Sequence, residues 1–244
     1  MVQVTLHCPF CNSDDVRKYG TSNGKPRYRC RNSKCSHQTF YATYTYNGCK
    51  PEVKQKIPQM SVEGSGIRSI SRVLGISQST VIATLKKKES QLSSINIAYF
   101  DRQDIVKPLK IRIEMDEMWS FYYSKDNEIW LWWAIDHDTG EVIAYCFGSR
   151  EHGNLEELKK LLSPLPIVRV YSDGNQAYVS KFPSILVVSK TNLQKIERKH
   201  LSLRTWSSRL VRKGIRFSKT EQMHKIAVGL VINVKFFGHK HLLQ

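Results

Sequence analysis

Carboxylates and cysteines are the side chains of this sequence whose types and spacing could do chemistry. The stretch RIEMDEMW, residues 112 to 119, places Glu114, Asp116 and Glu117 inside a strand-like run. A buried strand ordinarily excludes such groups, because burying an unpaired charge costs more than packing returns. Further along, Asp173 ends another apolar run and Glu197 lies in a helical segment. Three carboxylates drawn together from separate elements would repel one another unless cations lay between them. Two Mg²⁺ or Mn²⁺ ions about 4 Å apart fit that need, activating an attacking water or 3′-hydroxyl and stabilising the leaving oxygen of a phosphodiester. Carboxylate oxygens also suit hard cations. Each acid has a plainer reading as well. Asp173 in SDGNQ suits a turn or helix cap, Glu197 suits a helical surface beside Arg198 and Lys199, and Glu114 and Asp136 are rival strand carboxylates. In a regular strand Glu114 shares a face with Asp116, and Glu117 points the other way.

The cysteines form a second constellation. CPFC at 8 to 11 and CRNSKC at 30 to 35 are two knuckles that can supply Cys8, Cys11, Cys30 and Cys35 to one tetrahedral Zn²⁺, a structural site with no open position. The polar stretch between them reads as a hairpin turning at Asn23 and Gly24, which predicts a zinc ribbon over residues 1–48. So small a unit buries little core, and the metal would supply folding energy on the order of 10 kcal/mol. Cys49 lies outside the pattern, and Cys146 in VIAYCFG reads as a core thiol.

The remaining segments must position these groups. In residues 49–90, GIRSISRVLGISQSTVIATLKKK reads as helix, glycine turn and a second helix capped by Ser77, the pattern of a helix-turn-helix. Gln78, Ser79, Thr80 and Thr84 are the candidates for the major groove, and Lys86, Lys87 and Lys88 for phosphate. A preceding helix is expected near 51–60, ended or kinked by Pro58. Residues 91–108 read as a linker. From 109 to 244 the pattern is three strands at 111–123, 128–136 and 141–148, then a helix, a strand at 167–173, a short helix, a strand at 184–190 and two helices. That is a multidomain α/β chain whose last domain has a mixed sheet, in the order a ribonuclease-H-like fold requires.

Charge points to the partner. The chain carries a formal +17 over 244 residues, which indicates a polyanion such as double-stranded DNA. Residues 1–90 hold 15 Lys and Arg against 5 acids, residues 190–244 hold 13 against 2, and residues 91–189 hold 10 against 14. Two basic flanks thus surround an acidic centre, and Arg204, Arg209, Arg212 and Lys213 are candidates for holding DNA strands beside it. No run approaches 18 apolar residues and the N-terminus lacks a signal-peptide pattern, so a soluble, cytoplasmic, nucleoid-associated protein is expected, with no membrane partner.

Taken in order, the cysteine knuckles, GIRSISRVLGISQSTV, EMDEMW, YSDGNQAY and IERKHLSLR resemble the transposases of the insertion-sequence-one family over nearly the whole chain. The 24 positions from Asp173 to Glu197 also look like that family's short spacing. The resemblance implies a DDE-type DNA transposase in which Asp116, Asp173 and Glu197 bind catalytic metal and the N-terminal modules recognise terminal inverted repeats. It further implies metal-dependent cleavage and strand transfer, and because two DNA ends must be joined, a homo-oligomer of at least two subunits is expected. His200 and Ser202 depart from the family's pattern, which has asparagines there. The competing function is a non-enzymatic DNA-binding repressor or an inactivated copy. Asp116 inside a strand discriminates, since a repressor has no use for it.

Overall fold

The computed structural model describes residues 6–43, 46–105, 110–150, 152–211 and 215–244. Strands β1 (Val16–Ser22), β2 (Lys25–Cys30) and β3 (Thr39–Tyr41) form an antiparallel sheet in that order. Asn23 and Gly24 at its first turn both take positive φ, 50° and 70°, the two-residue hairpin geometry whose twist matches the flanking strands. Beneath it lies only a small cluster of Cys8, Cys30 and Phe40.

Helices α1 (Pro51–Val62), α2 (Ile67–Leu74) and α3 (Gln78–Lys86) follow. Gly75 closes α2 in the left-handed region, and the Ser77 hydroxyl caps α3 by accepting the Thr80 N–H. Pro58 was expected to end or kink α1, but the helix continues four residues beyond it, with Ile57, Pro58 and Val62 all buried. One lost backbone hydrogen bond is offset by that apolar burial. The core of this unit is not self-contained. Ile57, Ile70, Val81 and Leu85 pack with Met223, Ile226 and Leu230 of α8 (Glu221–Val231) and with Leu242.

Of the segment 91–108, expected to be a linker, the described residues 91–105 dock on the following domain. Ile95 bridges to Ala144, helix α4 (Ile97–Ile105) follows, and the Asn96 side chain donates to the carbonyl of Val142 at 3.1 Å. Its apolar positions, Ile95 and Tyr99, join the core there.

That domain is a five-stranded mixed sheet of β4 (Ile111–Phe121), β5 (Glu128–Asp136), β6 (Val142–Gly148), β7 (Ile167–Ser172) and β8 (Leu186–Val188), in the order β6-β5-β4-β7-β8. The first three are antiparallel and β7 and β8 run parallel to β4. This is the ribonuclease-H-like arrangement. One face packs on α5 (His152–Leu162) and α6 (Gln176–Lys181) through Ile113, Met115 and Trp132. The other packs on α7 (Gln194–Trp206) and α8 through Met118, Leu131 and Trp133. Strand β7 pairs with β4 only from Ile111 to Glu114. Among the described residues no strand pairs with the β7 side of β4 beyond Glu114, and the acids lie at this gap.

Candidate active site

Alternation along β4 sends Glu114, Asp116 and Met118 toward α7 and Ile113, Met115 and Glu117 toward α6. Asp116 is half-buried, and burial pushes its carboxyl up to about 7. The Glu117 backbone N–H, which donates to Asp116 Oδ1 at 2.9 Å, opposes that rise. The negative charges of Glu117, Asp173 and Glu197 reinforce it. Asp173 and Glu197 are thus each within electrostatic reach of Asp116. Asp173 is exposed immediately after β7, and its Oδ1 accepts the Asn175 N–H at 3.0 Å, so it is a turn aspartate as well. Glu197 is exposed in the first turn of α7.

An open cleft of about 460 Å³ lies between β4 and α7. Asp116 and Glu117 of β4 form part of its lining, beside Trp119 and its cross-strand partner Trp130. From α7 come Glu197, His200, Leu201 and Arg204. Their spacing of three, four and seven residues is one helical face. The Trp133 indole N–H donates to His200 Nε2 at 2.8 Å, which leaves the imidazole proton on Nδ1, the nitrogen 3.6 Å from Asp116 Oδ2.

The other acids have structural work. Glu114 is 1% exposed and accepts from His137 Nδ1 at 2.9 Å and from the Ile196 backbone N–H at 3.0 Å. Helix α7 has no side-chain cap from its own N-cap residue, Leu193, and the Glu114 carboxylate satisfies a donor of its first turn. Burial raises the Glu114 pKa, and the Ile196 N–H and His137 oppose the rise. Glu117 accepts from Asn175 Nδ2 at 3.0 Å and from the Tyr178 hydroxyl at 2.9 Å. Asp136 takes the Tyr99 hydroxyl at 2.6 Å and the N–H groups of Asp138 and Thr139. Sequence reasoning left Glu114 and Asp136 open as rivals, and it missed Trp119 and Trp130. The helical repeat from Glu197 to Arg204 was the signal available for the α7 wall.

The four cysteine sulfurs lie within 4.8 Å of one another, with Cys8 and Cys35 at 3.7 Å and Cys11 and Cys30 at 3.6 Å. A tetrahedral zinc with bonds of about 2.3 Å requires sulfurs about 3.8 Å apart, so the donor set fits. The Ser13 backbone N–H draws Cys11 down to about 7, while burial pushes Cys30 up to about 12. Cys49 is exposed and Cys146 is buried, both as free thiols. Among the described residues no other group of three or more potential ligands closes to 4.8 Å. The acid group is therefore more open than the cysteine site. Its all-oxygen donors are of the type that hard divalent cations take.

On α3, Gln78 and Ser79 are exposed, as are Lys86 and Lys87. Thr80 is half-buried with its hydroxyl bonded to Tyr46 and Ser77, and Thr84 donates back to the Thr80 carbonyl at 2.8 Å. Lys88, expected at phosphate, donates to the Gln244 carbonyl at 2.8 Å. Arg204 faces the cleft, whereas Arg209 is sunk beside Ser218, and burial lowers its pKa. Arg212 and Lys213 lie outside the described residues.

Comparison with known proteins bears on all three parts of the chain. A family model described as IS1 transposase matches residues 109–238, and models described as the InsA C-terminal and N-terminal domains match residues 44–89 and 1–35. The insertion element IS1 protein InsB of Shigella sonnei is 38% identical over 125 residues, 51% of this chain and 95% of that protein. The insertion element IS1 1 protein InsB of Escherichia coli K12 is 38% identical over the same length, 75% of that protein. A pre-cleavage Mos1 transpososome structure aligns over 80% of this chain and 78% of its own at 11% identity and a TM-score of 0.32, a similarity that by itself fixes neither fold nor function. With that domain match and those relatives, the chain belongs to the IS1 transposase family.

Proposed function

We propose that this transposase cuts the phosphodiester at each end of its insertion sequence and joins the freed 3′-hydroxyls to target DNA, with Asp116, Asp173 and Glu197 holding two Mg²⁺ or Mn²⁺ ions. The observation that supports it most is that Asp116 of β4 and Glu197 of α7 line one open cleft, with Asp173 at the end of β7 within electrostatic reach of Asp116. When bound, the cations supply Lewis-acid activation of the attacking oxygen and charge for the leaving one. The chain's own residues do the rest. Asp116 is forced toward its protonated form by its surroundings, so cation binding and proton release from it go together. Arg204, on the α7 wall, meets the backbone of the strand being cut. Gln78 and Ser79 reach base edges of the terminal inverted repeat while Lys86 and Lys87 contact phosphate.

Structural Zn²⁺ on Cys8, Cys11, Cys30 and Cys35 holds the ribbon that extends this DNA surface. Two ends must be brought together for joining, which calls for a homo-oligomer of at least two subunits on DNA, and the protein acts at the nucleoid. Among the described residues no helix is long and apolar enough to cross a membrane.

The test is strand transfer by the purified full chain on a labelled duplex carrying the element's own end, in Mg²⁺ and in EDTA. Asp116→Asn, Asp173→Asn and Glu197→Gln are run beside it. Metal-dependent joining that all three substitutions abolish, with DNA binding retained, is the expected result. Specific binding with no cutting or joining under any metal would instead leave a DNA-binding protein without the reaction.

A further inference from the structure

Of the five tryptophans in the chain, Trp132 and Trp133 are fully buried in the sheet's two cores. Trp119 and Trp130 are treated differently. They are register partners on β4 and β5, both are half-exposed, and both line the cleft that holds Asp116 and Glu197. Leu201 of α7, 63% exposed, lines the same cleft. The aromatic pair, on the Glu117 side of β4, and an uncovered leucine on α7 give the cleft an apolar slot beside a group of acids. The Arg150 guanidinium lies over the Trp130 ring, 5.0 Å from its centroid, and Arg204 stands on the α7 side. Two cationic side chains therefore lie by the slot, Arg150 on Trp130 and Arg204 in the lining.

A paired duplex offers such a slot little, because its base faces are stacked inside and only edges and backbone are presented. A base that is unpaired exposes a flat apolar face, and aromatic side chains take such faces without regard to sequence. Resting on the DNA-joining role proposed above, we infer that Trp119, backed by Trp130, is a stacking site for an unpaired nucleobase of the strand whose phosphodiester lies at Asp116 and Glu197. Arg150, held flat by Trp130, takes the neighbouring phosphate. Unpairing beside the acids draws the reacting strand out of the duplex and toward the cleft floor.

The experiment compares the affinity of the full chain, in a Glu197→Gln background that leaves DNA uncut, for two duplexes carrying the element's end. One is fully paired; the other has a single mismatch at the cleavage junction, so that the unpairing cost is already met. Wild-type Trp119 should prefer the mismatched duplex by roughly 5- to 150-fold, the range that corresponds to one base–aromatic stack of about 1–3 kcal/mol. Trp119→Phe should retain most of the preference. Trp119→Leu, which keeps apolar bulk in the sheet but not a flat face, should lose it while binding the paired duplex as before. Equal affinity of the Trp119 protein for both duplexes, or a preference that survives Trp119→Leu, overturns the stacking site alone. Binding to neither duplex overturns the DNA role and this inference with it.

Discussion

The Glu114 carboxylate accepts the backbone N–H of Ile196 at 3.0 Å, tying the middle of β4 to the first turn of α7 one residue before Glu197. Two acids of the proposed metal site, Asp116 and Glu197, therefore stand on elements joined by a third acid that is almost wholly buried. Removing it strands a helix-terminal donor in the interior and takes the carboxylate partner from the half-buried His137. Glu114→Ala should cost about 2 kcal/mol in urea unfolding, in the range for a buried polar group that loses its partner. Glu114→Gln, which keeps an acceptor oxygen, should cost less than the alanine variant. Mn²⁺ titration of the same proteins should show weaker binding in the alanine variant, because α7 is no longer held against β4.

Asp116 gives a pH signature. Its folded pKa is raised from 3.8 to about 7, first by burial and then by neighbouring negative charge. Between those values the folded state holds a proton that the unfolded state has lost, so stability falls as pH rises through the window. In EDTA, Asp116→Asn should remove that slope. The variant should be the more stable protein above pH 7, by on the order of 4 kcal/mol at about 1.4 kcal/mol for each pH unit of that window, and the two should converge near pH 4. Thermal melts at several pH values measure it, and parallel curves would show that Asp116 does not titrate as described.

The cysteine site predicts one tightly held zinc per chain. Mass spectrometry of the native protein should find it, and Cys8→Ser should release it. Folding of the ribbon draws on metal binding worth about 10 kcal/mol or more, so the variant should lose ordered structure over β1 to β3 in hydrogen exchange. Protection of β4 to β6, whose core is separate, should be unchanged.

Helix α8 predicts coupling between modules that the sequence separates. Ile226 and Leu230 are fully buried among residues of α1, α2 and α3, while Val228 and Val231 of the same helix pack on the sheet. Ile226→Ala should cost about 2–5 kcal/mol, and it should lower hydrogen-exchange protection in the helix-turn-helix as well as in α8. Protection lost in α8 alone would contradict the shared core.

How legible this was in the sequence follows from the range of the interactions involved. Local signals were read correctly: the Asn23–Gly24 turn, the Gly75 and Ser77 helix boundaries, and the strand alternation that put Asp116 and Glu117 on opposite faces. What was missed depends on contacts distant in sequence. The role of Glu114 rests on Ile196, 82 residues away. Lys88 looks like a free phosphate contact until Gln244 arrives beside it. Arg209 reads as surface by composition and is sunk beside Ser218 by packing. Residues 91–108 lack periodicity of their own, yet Asn96 and Tyr99 find partners on β5 and β6. Composition could mark the basic flanks but could not tell which cations face solvent.

The core shared through α8 also makes the molecule a caliper. Its helix-turn-helix and its acid cleft are jaws of one body, with α1 to α3 on one side of α8 and the sheet on the other. With the roles proposed above for the helix-turn-helix and the cleft, the number of base pairs between the sequence gripped and the bond presented is set by the protein, and the DNA has to match it in both length and helical phase.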